Sequence, residues 1–114
     1  MPRSVLHASE YKAVWLFVMF DVPVQTPENR RDYRKLHKGI EKLGFTMLQY
    51  SVYARYFPTE ESSIPYRGSI KSLLPPEGQV RMITVTDHQF GKMQVFVAGK
   101  REEPEEPPPQ KLLF

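Results

Sequence analysis

An α+β fold, with two helices laid on one side of an antiparallel sheet, is predicted by three observations. An unbroken apolar run, Ala13–Phe20, stops abruptly at Asp21-Val22-Pro23. Directly after it, Tyr33, Leu36, Ile40 and Leu43 recur at helical spacing. Alternating segments rich in Val, Ile, Tyr and Phe then flank a second, weaker helical pattern. With 114 residues the chain has the size of one domain and a modest core.

Taken in order, Ala13–Phe20 is apolar on both faces and reads as a fully buried strand. Thr26 offers an N-cap and Pro27 suits the first helical position, so a helix runs from there to Gly44. Phe45–Phe57 reads as two short strands or one bent one, with Leu48, Tyr50, Val52, Ala54 and Tyr56 on one side and Gln49, Ser51, Tyr53 and Arg55 on the other. Tyr66, Ile70 and Leu73 predict a second helix from about Ile64 to Leu73, with Ser63 as N-cap and Pro65 in the first turn. Val80–Thr86 and Met93–Ala98 read as strands.

The order β-α-β-β-α-β is the ferredoxin-like pattern, here with an extra C-terminal strand. Two helices cover only one face of such a sheet, yet the first strand is apolar on both. A second copy of the chain is the economical cover, so a homodimer with sheets packed face to face, burying Trp15, Phe17 or their neighbours, is expected. The extra strand could extend the sheet edge of a partner subunit. Residues 1–98 form the ferredoxin-like domain. From residue 99 to 114 the composition turns acidic and Pro-rich, which predicts a flexible tail. Its last residues, Leu112, Leu113 and Phe114, read either as a docking hook for a partner or as a frayed end.

Composition excludes several classes. The absence of cysteine rules out disulfides, thiolate catalysis and Cys-type zinc sites. The longest apolar run has eight residues, against ~20 for a membrane span, and no signal-peptide pattern is visible. A cytoplasmic protein with no membrane partner is expected. There is no Gly-rich phosphate loop, HExxH or GxSxG motif. The net charge of +3 divides into −1 for residues 100–114 and +4 for the rest, compatible with a polyanionic partner.

Asp21 ends a buried strand and is therefore held rigidly. A carboxylate so placed suits a hard cation such as Mg²⁺; the alternative is a turn-forming Asp before a proline. The first helix carries Arg30, Arg31, Arg34, Lys35, Lys38 and Lys42 against Glu28, Asp32 and Glu41. Positions 31, 34, 35, 38 and 42 form one basic stripe, suited either to phosphates or to solvent. The polar side of the second strand region suits a ligand or another subunit. His7, His37 and His88 lie far apart and read as ordinary, with His37 on the surface of the basic helix.

Phe20-Asp21-Val22-Pro23, the arginine-rich helix, Gly44-Phe45, Gln49-Tyr50-Ser51-Val52-Tyr53-Ala54-Arg55, and Leu74-Pro75-Pro76-Glu77-Gly78-Gln79-Val80-Arg81 leading into Ile83-Thr84-Val85-Thr86-Asp87 occur here in one order. Residues 13–98 thereby resemble the CRISPR-associated protein two family, the small partner of the CRISPR integrase. The resemblance implies a ferredoxin-like homodimer in which two copies of Asp21 face each other and share Mg²⁺, or Mn²⁺ in its place. It implies metal-dependent endonuclease activity on RNA or duplex DNA, and a bridging role between two integrase dimers on duplex DNA during spacer acquisition. Asp21 would be the catalytic and metal residue. Arg30, Arg31, Arg34, Lys35, Lys38 and Tyr53 would bind nucleic acid. Phe20 stands where many relatives have Tyr, and so lacks that hydroxyl. The tail has no counterpart in the family. A non-catalytic ferredoxin-like nucleic-acid-binding or regulatory module is the alternative reading.

Overall fold

The computed structural model describes residues 12–109. The apolar run forms β1 (Val14–Asp21), and the basic segment forms α1 (Pro27–Lys42). Thr26 caps α1: its hydroxyl accepts from the Asn29 N–H at 3.0 Å, and the Asn29 side chain returns to the Thr26 N–H. β2 (Thr46–Gln49), β3 (Val52–Phe57), α2 (Glu60–Lys71) and β4 (Gln79–Thr86) follow, then α3 (Asp87–Gly91), β5 (Val95–Val97) and β6 (Lys100–Glu102).

The main sheet is antiparallel with order β2-β3-β1-β4, the ferredoxin-like arrangement. β1 lies between β3 and β4, which explains its composition. Val14, Leu16, Val18 and Phe20 point to the helices and join Leu36, Ile40, Phe45, Tyr53, Phe57 and Ile70 in the principal core. Trp15 and Phe17 point the other way and pack with Ala54, Tyr56, Val85 and Phe90.

Three expectations are corrected. First, α2 begins four residues earlier than predicted. Thr59 is its cap, because Thr59 and Ser62 satisfy each other's backbone N–H groups. Ser63 is instead buried inside the helix, donating to the Glu60 carbonyl at 2.6 Å. Pro65 lies past the first turn and removes one helical bond. Second, α3 was not foreseen. Five residues are too few for a periodic signal, yet Thr86 and Gln89 form a complete cap. Its Phe90 stacks on Trp15 with ring centroids 4.0 Å apart and covers part of the second sheet face within one chain. Third, the last predicted strand covers Val95–Val97 and not Met93–Ala98. β5 pairs with β6 through a tight turn with positive φ at Ala98 (51°) and Gly99 (82°).

The compositional boundary between residues 98 and 99 therefore falls inside a hairpin turn. Residues 103–109 carry no regular structure, but Pro104 is buried. Glu105, Glu106 and Pro108 lie with Trp15, Thr46, Arg55 and Tyr56 around a cavity of about 510 Å³. Leu112, Leu113, Phe114 and His7 lie outside the described residues.

Candidate metal and nucleic-acid site

Asp21 is the last residue of β1 and is exposed. Strand alternation puts its side chain on the same face as Trp15, Phe17 and Met19, away from the helices. Its backbone is fixed from two sides. It pairs with Gln79 of β4, and Gly78 packs directly over it. Gly78 has φ 91°, and a Cβ there would stand 2.6 Å from the Asp21 carbonyl oxygen, so no larger residue fits without moving the loop. Asn29 joins this loop to α1 by donating to Glu77 at 2.7 Å.

Sequence reasoning gave Arg81 no role. It pairs with Met19 on β4, on the face of Asp21, with its Nε donating to Gln79 at 3.2 Å. A guanidinium thus stands one rung diagonally from the carboxylate. The alternation of Gln79, Arg81, Ile83 and Val85 was the signal that could have found it. Among the described residues, no three His, Asp or Glu side chains converge as a metal site. The described residues of one chain therefore supply fewer than three such ligands at Asp21. The donor set fits a hard cation only if a second copy brings another carboxylate to the same face.

The basic stripe is on the other side of the sheet. α1 buries Leu36 and Ile40, while Arg31, Arg34, Lys35, Lys38 and Lys42 are exposed on its outer side. Within one chain, then, Asp21 and the stripe are not brought together. Arg30 is otherwise engaged: its Nη1 donates to the carbonyls of Val24 and Gln25 at 3.1 and 3.2 Å, closing the loop between β1 and α1.

Tyr53 is fully buried and has no surface to offer a ligand. Its hydroxyl is hydrogen-bonded to His37 Nδ1, while His37 Nε2 lies 3.5 Å from Glu41. His37 is thus part of the packed layer between α1 and β3, not the plain surface residue its position suggested. Burial, with the Glu41 charge, raises the Tyr53 phenol above its usual range. Tyr33 is pushed up to about 12, first by burial and then by hydrogen bonding to Tyr50. Phe20 packs between the rings of Tyr33 and Tyr53, at centroid distances of 6.0 and 5.8 Å, so its missing hydroxyl concerns the helix side and not the Asp21 side.

The β2–β3 connection alters the expected facing of side chains. A register shift between Met47 and Gln49 and a positive φ of 63° at Ser51 reset the alternation. Tyr53 and Arg55 face the helices, but Tyr50 is turned out to solvent. Arg55 lies over the rings of Phe57 and Tyr66, 4.6 and 4.2 Å from their centroids.

Residues 14–93 match the family described as CRISPR associated protein Cas2. Three similar proteins carry the name CRISPR-associated endoribonuclease Cas2. The one from Parvibaculum lavamentivorans is 39% identical over 101 residues, 89% of this chain and all of that protein. The one from Flavobacterium psychrophilum is 32% identical over 106 residues, 93% of this chain and 92% of that protein. The one from Ligilactobacillus salivarius is 40% identical over 86 residues, 75% of this chain and 84% of that protein.

Proposed function

The chain belongs to the CRISPR-associated Cas2 family, and from that membership we propose that it acts in CRISPR adaptation as a homodimer, cutting phosphodiester bonds with a divalent metal and bridging integrase dimers on duplex DNA. The observation that carries the nuclease reading is the placement of Asp21. It is an exposed carboxylate on a backbone clamped by Gln79 and Gly78, on the sheet face that a second copy would cover. The names of the similar proteins, endoribonucleases, support the same chemistry.

Face-to-face packing would bring two Asp21 carboxylates towards one axis. Mg²⁺ or Mn²⁺ held there would supply an activated water and offset charge on the scissile phosphate. Arg81, on the same face, would orient a phosphate oxygen. The apolar rungs Phe17, Met19 and Ile83 would exclude water around the axis; Ile83 is half exposed in a single chain. The stripe Arg31, Arg34, Lys35, Lys38 and Lys42 would follow phosphates outside the sheet, where a duplex could be spanned without reaching Asp21. Leu112, Leu113 and Phe114 would serve as the contact with the integrase.

A second reading, a non-catalytic nucleic-acid-binding module, is favoured by one observation: the described residues of a single chain offer no cluster of three metal-ligating side chains. One experiment separates the two. Purified wild type and Asp21→Ala are each incubated with RNA and with duplex DNA, with Mg²⁺ or with EDTA. Cleavage by wild type alone, and only with Mg²⁺, supports the enzyme. Equal cleavage by both proteins removes Asp21 from the chemistry; none by either while nucleic acid is still bound leaves the binding module.

A further inference from the structure

Tyr50 is 70% exposed, the largest exposure among the big apolar and aromatic side chains of the described residues. It is not a loose side chain. Its ring lies within 19° of parallel to Tyr33 at 6.1 Å, and Tyr33 lies within 10° of parallel to His37 at 5.9 Å. Three rings thus form a ladder that climbs from the side of α1 into solvent. The base of the ladder is fixed by His37 on Tyr53 and Glu41. Its top is fixed by the turn beneath Tyr50. Ser51 holds a left-handed φ of 63°, and its carbonyl accepts from the Phe20 N–H at 3.1 Å, tying the turn to the end of β1.

The ladder has charged neighbours. Arg34 stands three residues before His37, one turn along the same side of α1, and Lys38, four residues after Arg34, continues its row; both are exposed. An aromatic face standing next to a row of cations is what an unpaired nucleotide needs: a ring for the base and a cation for its phosphate. A base pair inside a duplex cannot use the face, because its own neighbours occupy both of its sides.

We infer that Tyr50 is a stacking platform for an unpaired nucleobase, continuing the Tyr50–Tyr33–His37 ladder by one more ring while Arg34 and Lys38 hold the adjoining phosphates. The ligand is the single-stranded extension of a nucleic acid duplex. The inference rests on the proposed binding of nucleic acid along α1 and adds a preference to it. The stack is tolerant of sequence, since every base has a π face.

The test uses the full-length chain, in Mg²⁺ buffer, with nuclease-resistant phosphorothioate DNA. One duplex is blunt; the other carries short single-stranded extensions with 2-aminopurine in the first unpaired position. Binding is followed by anisotropy, and stacking by quenching of 2-aminopurine. Wild type should bind the extended duplex about tenfold more tightly than the blunt one and quench the probe. Tyr50→Ala should lose that preference and the quenching, with affinity for blunt duplex unchanged. Tyr50→Phe and Tyr50→Trp, which keep a ring, should retain both. Arg34→Ala with Lys38→Ala should weaken both duplexes. Equal affinity of wild type for the two duplexes, or a preference that survives in Tyr50→Ala, overturns the platform while leaving nucleic-acid binding intact. Failure of wild type to bind the blunt duplex is a different result: it removes the binding by α1 on which the platform depends.

Discussion

Single residues divide into those that fix the backbone at Asp21 and those that fix the ring layer above α1. Gly78 belongs to the first set. Gly78→Ala would drive a methyl to 2.6 Å from the Asp21 carbonyl oxygen, so the loop must move. Any metal-dependent cleavage should fall by at least tenfold, since misplacing a reacting group by ~1 Å costs about 10²-fold; a gel assay with Mg²⁺ checks this. In the second set, the Tyr53 hydroxyl is buried on His37. Tyr53→Phe leaves that nitrogen without its partner and should cost about 1–2 kcal/mol in urea unfolding. Tyr33 makes a pH prediction. Its folded pKa, about 12, lies above the unfolded value of 10.0, so the unfolded chain gives up its proton first. The contribution to stability is whole below pH 10 and is lost as pH rises towards 12. Tyr33→Phe should flatten that alkaline decline in thermal melts; an unchanged decline would assign it to other groups.

Among the elements, α1 and α3 make the clearest claims. Changing Arg31, Arg34 and Lys38 together to Ala should weaken duplex binding evenly across sequences and lower the salt slope by roughly one unit per lost contact. An unchanged slope would put the nucleic acid on another surface. Phe90→Ala removes the ring stacked on Trp15 and should cost about 3 kcal/mol, read by urea unfolding with Trp15 fluorescence. These two helices also mark how far the sequence could be read. α1 was legible from Thr26 to Gly44 because a cap, a proline and four apolar residues agreed on one period. α3 was not, because five residues hold less than two turns, and the gap it fills made a second copy the economical cover for Trp15. In α2 the reading followed apolar spacing to Ile64, whereas the helix starts where Thr59 and Ser62 satisfy the first backbone N–H groups. Asp21 was visible as a carboxylate closing an apolar strand. Arg81 and Tyr50 were not, since only strand register puts one beside Asp21, and only a reset alternation turns the other outward.

At the scale of the whole molecule, the two faces of the sheet do different work. The helix face is closed by the core of a single chain. The opposite face holds Asp21, Arg81 and the half-exposed Ile83, and Phe90 covers only part of it. Light scattering at micromolar concentration should therefore give the mass of two chains; a stable monomer would leave Asp21 without its counterpart. Removing residues 110–114 should weaken integrase binding without changing the melting temperature, and equal affinity with and without them would return Leu112, Leu113 and Phe114 to a frayed end. The central claim is that two carboxylates, one from each chain, make one metal site. Calorimetric titration of the metal-free protein with Mn²⁺ tests it most directly. The account predicts one ion bound per two chains in wild type and none at that affinity in Asp21→Asn. One ion per chain, or equal binding by the Asn variant, would contradict it and make Asp21 a turn residue.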